Sequence, residues 1–217
     1  MCAGRLEQAL RRLSSAHGPQ HWWPADSPFE MAMGAILVQN TSWRNAELAL
    51  ENLRSTTAFD ASTVANTRPA DLAALIRPSG TFRVKAARAL ALASWWSCEH
   101  ENATALPTVQ LRANLLAIHG IGPETADCIL LYAFARPLFI ADAYARRWMY
   151  RMGFTPSDAG YVEVQRYAHE HLPLNVGVLQ EAHALIVMHS QRNCVARRPG
   201  CHVCTLRKVC VAGRFDA

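Results

Sequence analysis

Leu115-Leu116-Ala117-Ile118-His119-Gly120-Ile121-Gly122-Pro123-Glu124-Thr125-Ala126 is the stretch on which the reading of this chain turns. Apolar residues at three- and four-residue intervals lead into it from Leu111 and out of it to Phe134, so two helices meet here. The first stops at the glycine. The second restarts two residues later, with Gly122 placed as N-cap and Pro123 at the first helical position, where a missing N–H costs nothing. Glycines at both ends of so tight a turn are expected to allow positive φ and the close approach of another backbone. Ile118 and Ile121 bracket the turn and should pack between the helices. The N–H groups of Gly120, Gly122 and the new helix N-terminus would then face outward as a site for a phosphate. An ordinary αα-hairpin also favours Gly and Pro, but the pattern L-x-x-I-x-G-I-G-x-x-T-A is longer than such a turn requires.

Outward from the turn, helical spacing recurs through Phe29–Val38, Ala46–Leu53, Leu72–Ile76, Val84–Trp95, Ala143–Met152 and Val178–Met188. Punctuation falls between these runs, at Ser27-Pro28, Arg77-Pro78-Ser79-Gly80, Leu106-Pro107 and Leu172-Pro173. No period-two alternation is sustained, which predicts an all-α protein of about ten helices. The 217 residues suffice for one large domain or two lobes. No stretch approaches the roughly 20 unbroken apolar residues of a membrane span. Met1 to Leu13 reads as an amphipathic helix carrying Arg5, Arg11 and Arg12, without the apolar core of a signal peptide. A cytoplasmic, nucleoid-associated monomer is expected. The formal charge of +5 suits a polyanion without proving one. Of the 22 basic residues only Lys85 and Lys208 are lysines, so catalytic amines are scarce.

Four of the seven cysteines fall in the last 24 residues, as Cys194-x6-Cys201-x2-Cys204-x5-Cys210. An odd total without a signal peptide argues against a disulfide scaffold. Four thiolates from one short loop can hold a [4Fe–4S] cluster or Zn²⁺. Zinc ribbons usually present two close C-x2-C pairs, and here there is one. Arg192, Arg197, Arg198, Arg207 and Lys208 interleave, so the loop is basic as well as thiol-rich.

Hairpin and cysteine loop, in this order, resemble the endonuclease III (helix–hairpin–helix/Gly-Pro-Asp) superfamily of DNA glycosylases over nearly the whole chain. The resemblance implies two lobes. Residues 25–136 would form a six-helix lobe with the hairpin at about 109–134; residues 1–24 and 137–217 would form a second lobe ending in a [4Fe–4S] loop over 194–210. The cleft between them would carry Asp142, which follows the apolar run Pro137-Leu138-Phe139-Ile140-Ala141, 20 positions after Gly122. In this role Asp142 stabilises positive charge developing on the sugar and orients a water, after the damaged base has been flipped out of duplex DNA. It can also N-cap the helix that begins at Ala143, and the two roles are compatible. Gln39 matches the residue that enters the vacated DNA stack. Gly120, Ile121, Gly122, Thr125, Arg146 and Lys208 are the implied DNA contacts, and Cys194, Cys201, Cys204 and Cys210 the implied cluster ligands.

Bifunctional members carry a lysine two positions after the second hairpin glycine, and it forms an imine with the sugar. Here that position is Glu124, which cannot. A monofunctional enzyme hydrolysing N-glycosyl bonds, with abasic-site lyase activity weak or absent, is therefore expected. Trp22-Trp23-Pro24, Trp43, and Gly-Pro-Glu-Thr-Ala-Asp at 122–127 resemble the 3-methyladenine branch, in which such aromatics line the base pocket. Cationic alkylpurines suit an indole face. The tryptophans read equally as core or lobe-interface residues. Three rivals stay open: a bifunctional glycosylase/lyase on oxidised pyrimidines, a non-catalytic damaged-DNA-binding protein, and a zinc-stabilised helical DNA-binding module.

Overall fold

The computed structural model describes residues 3–214. They form eleven α-helices and three short 3₁₀ turns, with no strand among the described residues. None of these helices is long and apolar enough to cross a membrane. Met1 and Cys2, at the head of the expected first helix, lie outside the described residues. The chain divides into two compact units, residues 1–22 with 137–217, and residues 23–136.

The continuous unit is built on α2 (Pro28–Leu37), which is buried from Phe29 to Leu37 and packs on α3 (Trp43–Thr57), α6 (Phe82–Thr104) and α8 (Pro123–Tyr132). A helix buried on every face can only be central. Ser27 caps it, accepting from the Glu30 N–H at 3.1 Å, and Pro28 stands at its first position. The short α4 (Ala61–Ala65) and α5 (Pro69–Leu75) lie on α6. The hairpin is α7 (Thr108–Ala117) against α8. Arg112 of α7 grips the fully buried Asp127 of α8 with two parallel bonds, Nε to Oδ1 at 2.6 Å and Nη2 to Oδ2 at 3.2 Å. That fork-to-carboxylate pair fixes the angle of the hairpin more tightly than apolar packing alone.

In the discontinuous unit α11 (Val176–Arg192) is the core helix, buried nearly without break from Leu179 to Ser190. It packs on α1 (Ala3–His17) and α9 (Ala143–Met152), and α10 (Tyr161–His171) closes against α1 and α9. α9 ends where Gly153 turns to φ +75, and an added Cβ there would lie 2.6 Å from Val211 Cγ2. The left-handed turn thus seats the C-terminal segment on α9.

Candidate functional site

At the hairpin turn the two glycines differ, which corrects the expectation of positive φ at both. Gly120 has φ +83, and a Cβ on it would fall 2.2 Å from Arg88 Cγ and 2.6 Å from Arg88 Nε. Glycine is favoured there twice over, by the left-handed backbone and by a side chain from α6 that crosses the turn. Gly122 is ordinary extended backbone, φ −91 and ψ 179, and a Cβ on it would meet nothing within 4 Å. Neither conformation nor packing within the chain explains its missing side chain. Ile118 and Ile121 are buried as the turn requires, while Gly122, Pro123 and Glu124 are exposed.

Gln39 is drawn into this turn. Its amide nitrogen donates to Thr125 Oγ1 at 3.0 Å and to Gly120 O at 3.4 Å, and its oxygen accepts from Arg88 Nη1 at 2.5 Å. Both ends of its amide are thus engaged by the protein. Thr125 is engaged by the same contact. Arg88, which no sequence pattern marked, both covers Gly120 and holds Gln39.

Trp23 rests on α2, where an added Cβ on Gly34 would lie 3.1 Å from the indole Nε1. Trp43 meets it edge-on at 5.3 Å between centroids, and Tyr132 does so at 5.6 Å. All three rings are half-buried, so they form an aromatic wall rather than a sealed core. Tyr132 carried no sequence signal beyond its place at the end of α8. Pro24 is exposed. Trp22 belongs to the other unit, packing edge-on against His183 at 6.0 Å.

Lys85 is 1% exposed, and its ammonium donates to Leu37 O at 2.8 Å and Ser79 O at 2.6 Å. Burial, with Arg88 adding, lowers its pKa to about 8. A lowered pKa is what an imine-forming lysine needs, but geometry decides here: a nitrogen bound to two carbonyls inside the core meets no sugar. Lys208 is exposed on the cysteine loop.

Asp142 is 8% exposed and caps α9, with Oδ1 accepting from the Ala145 N–H at 2.7 Å. Oδ2 lies 3.7 Å from Nε2 of His183, a buried residue of α11 that the sequence did not single out. Arg146, on the next turn, is half-buried.

The four C-terminal cysteines line one cavity of about 390 Å³, together with Trp148, His189 and Arg151. Arg151 binds the loop at several points, donating to Cys194 Sγ at 3.3 Å, Cys194 O at 3.1 Å, Val195 O at 2.8 Å and Ala196 O at 3.0 Å. Arg147 donates to Cys194 O at 3.0 Å. Cys204 Sγ lies 3.6 Å from His189 Nε2, and burial, with His17 adding, pushes that imidazole down to about 4, so it is neutral. Among the described residues no group of three or more His, Cys, Asp or Glu side chains is drawn together closely enough to hold a single metal ion.

The described residues are all-helical, with a Gly-Ile-Gly hairpin in one unit and a helix-capping aspartate beyond a buried apolar run in the other. Residues 33–174 match the model of the HhH-GPD superfamily base excision DNA repair proteins. A Methanocaldococcus jannaschii protein provisionally named as a DNA repair glycosylase is 37% identical over 201 residues, covering 90% of this chain and 91% of its own. Among solved structures, a trapped endonuclease III–DNA covalent intermediate superposes with a TM-score of 0.85 at 20% identity, over 99% of this chain and 98% of that one. The 3-methyladenine DNA glycosylase of H. pylori (MagIII), bound to 1,N6-ethenoadenine, superposes with a TM-score of 0.73 at 28% identity, over 87% and 97%. The chain belongs to the HhH-GPD superfamily of base excision DNA repair proteins. It is a DNA glycosylase of that superfamily.

Proposed function

We propose that this protein is a monofunctional glycosylase in which Asp142 activates water to release an alkylated purine from duplex DNA. The observation that carries the reading is the contrast between a buried, helix-capping carboxylate at 142 and the lack of a lysine at 124. Glu124 stands where an imine-forming lysine would stand, and Lys85 is tied to two carbonyls. In the step envisaged, the C1′–N bond breaks as positive charge gathers on the sugar. Water adds at C1′, its proton passes to Asp142, and the base leaves with the bonding electron pair. A 3-methylated adenine already carries positive charge, so it departs neutral and demands less acid catalysis.

The hairpin would hold the DNA backbone through the N–H groups of Gly120 and Gly122, with Thr125, Arg146 and Lys208 as further contacts; the Ile121 N–H, expected to join them, instead donates to Ile118 O at 3.1 Å within the turn. The open space at Gly122 supports this, because the chain itself leaves that space unused. The Trp23–Trp43–Tyr132 wall suits a cationic base through cation–π attraction, and the likeness to a 3-methyladenine glycosylase supports the same class. Trp22 and Pro24 stay candidates for this pocket by resemblance alone. The division of the chain into residues 1–22 with 137–217 and residues 23–136 supports a reading as two lobes.

Two measurements test the chemistry. Strand cleavage at a released site is expected only after alkali, and borohydride is expected to trap no covalent adduct. Trapping at the rate of base release would sink the monofunctional reading. On a lesion panel 3-methyladenine should be released fastest, and Trp23→Ala should lower its kcat/KM about 10- to 100-fold, the scale of one cation–π contact with its buried area. Faster release of thymine glycol or uracil would overturn the substrate assignment.

The cysteine cavity supports a [4Fe–4S] cluster held by Cys194, Cys201, Cys204 and Cys210. The four cysteines line one cavity, and their single close C-x2-C pair is not the two-pair pattern usual in zinc ribbons. Bound there, the cluster would cross-link the basic loop to itself, beside α9 and α11, whose residues also line the cavity. Absorbance near 400 nm with about four irons per chain is expected; stoichiometric zinc would exclude the cluster.

A further inference from the structure

The segment that carries Asp142 poses a problem for an all-helical protein. Pro137 to Ala141 runs outside any helix, and Phe139, Ile140 and Ala141 are each no more than 1% exposed. Buried backbone polar groups must find partners, and no neighbouring strand offers any. At Phe139 both partners are side chains of one helix. Gln165 Nε2 donates to Phe139 O at 2.7 Å, and the Phe139 N–H donates to His169 Nε2 at 2.8 Å. Positions 165 and 169 are four apart on α10 and share a face. They present a donor and an acceptor with the spacing that a β-strand edge would offer.

We propose that Gln165 and His169 are positioning residues for Asp142, clamping the peptide groups of Phe139 so that the carboxylate three residues on is held at its working position. The proposal rests on the reading of Asp142 as the water-activating group. Because an N–H donates to His169 Nε2, the imidazole is neutral with its proton on Nδ1. Downstream the carboxylate is tied by the Ala145 N–H, and upstream by the clamp, with two fully buried residues between as a stiff link. Releasing the upstream end lets the segment slide, and a displacement of about 1 Å at a reacting group can cost on the order of 100-fold in rate.

The test is single-turnover release of 3-methyladenine, measured beside DNA dissociation constants and thermal unfolding for each full-length variant. Gln165→Met and His169→Met keep bulk but lose the polar partner, and each is expected to slow base release 10- to 100-fold with DNA affinity changed less than two-fold. His169→Gln places an acceptor oxygen near the former Nε2 and should recover release to within three-fold of the parent. Amide exchange at Phe139 should quicken in the methionine variants and return in His169→Gln. Undiminished release in folded methionine variants, or a glutamine variant no better than methionine, would overturn the clamp. Should the methionine variants not fold, Gln165→Glu against His169→Gln decides. The first turns an acceptor toward Phe139 O and should be slow while the second is not, and equal rates would overturn the proposal. Asp142→Asn run in parallel separates the two readings. Retained turnover there removes the role of Asp142, whereas its loss with active clamp variants removes only the clamp.

Discussion

Asp142→Asn is expected to slow base release about 1,000-fold while leaving DNA affinity within two-fold, a loss in the middle of the range for a positioned proton acceptor. Asparagine is the informative substitution because the position has two functions. As N-cap of α9 it offers an oxygen to the Ala145 N–H, and asparagine does this as well as aspartate. What asparagine cannot do is take a proton from water or balance charge on the sugar. Losing the negative charge at a helix N-terminus costs about 0.3–1 kcal/mol, so Tm should fall by no more than about 4 °C. Asp142→Ala loses the cap as well, about a further 1 kcal/mol, and would confound the two roles. Single-turnover release, DNA binding and thermal unfolding on the asparagine variant check all three parts. Turnover within ten-fold of the parent would show that another group activates the water.

Much of the fold was legible in the sequence because the signals that specify it are local. Helical spacing and the caps at Ser27 and Asp142 act within a few residues of themselves, as do Pro28 and Pro123. The hairpin, the aspartate after its apolar run and the cysteine spacing were likewise visible as patterns. What surrounds them was not. His183 stands 41 positions from Asp142 in the chain, and Arg88 lies 49 from Gln39, each on a helix whose own periodicity says only that it is partly buried. Gln165 and His169 read as polar positions on an amphipathic helix, and only the path of residues 137–141 gives them a task. Gly120 and Gly122 look equivalent in a sequence, since residue type records permission for a conformation and not its use. The structure separates them: one glycine is favoured by a left-handed backbone and a crossing side chain, the other by nothing within the chain.

That difference sets the second large effect. Gly120→Ala is expected to destabilise the protein by about 2–4 kcal/mol, from ~1–2 kcal/mol for a left-handed alanine and the remainder for displacing Arg88. The new Cβ would collide with Arg88 Cγ and Cδ at 2.2 and 2.4 Å. The arginine would have to leave Gln39, whose contact with Thr125 and the turn then loosens. Tm should fall by roughly 5–15 °C, with DNA binding weakened in step. Gly122→Ala should behave oppositely. At φ −91 alanine is unstrained, and its poorer N-capping offsets the entropy it removes from the unfolded chain, leaving stability within about 1 kcal/mol. Its methyl group would stand where a phosphate is expected, so DNA affinity should drop about ten-fold, on the order of one lost charge-assisted contact. Adding Arg88→Ala to Gly120→Ala removes the collision but not the strain. The double variant should therefore be more stable than the sum of the single losses implies, by on the order of 1 kcal/mol. Additive losses would mean that Arg88 is not what excludes a side chain at 120. A Gly122→Ala protein with unchanged DNA affinity would mean that the open face of the turn does not meet the backbone of DNA.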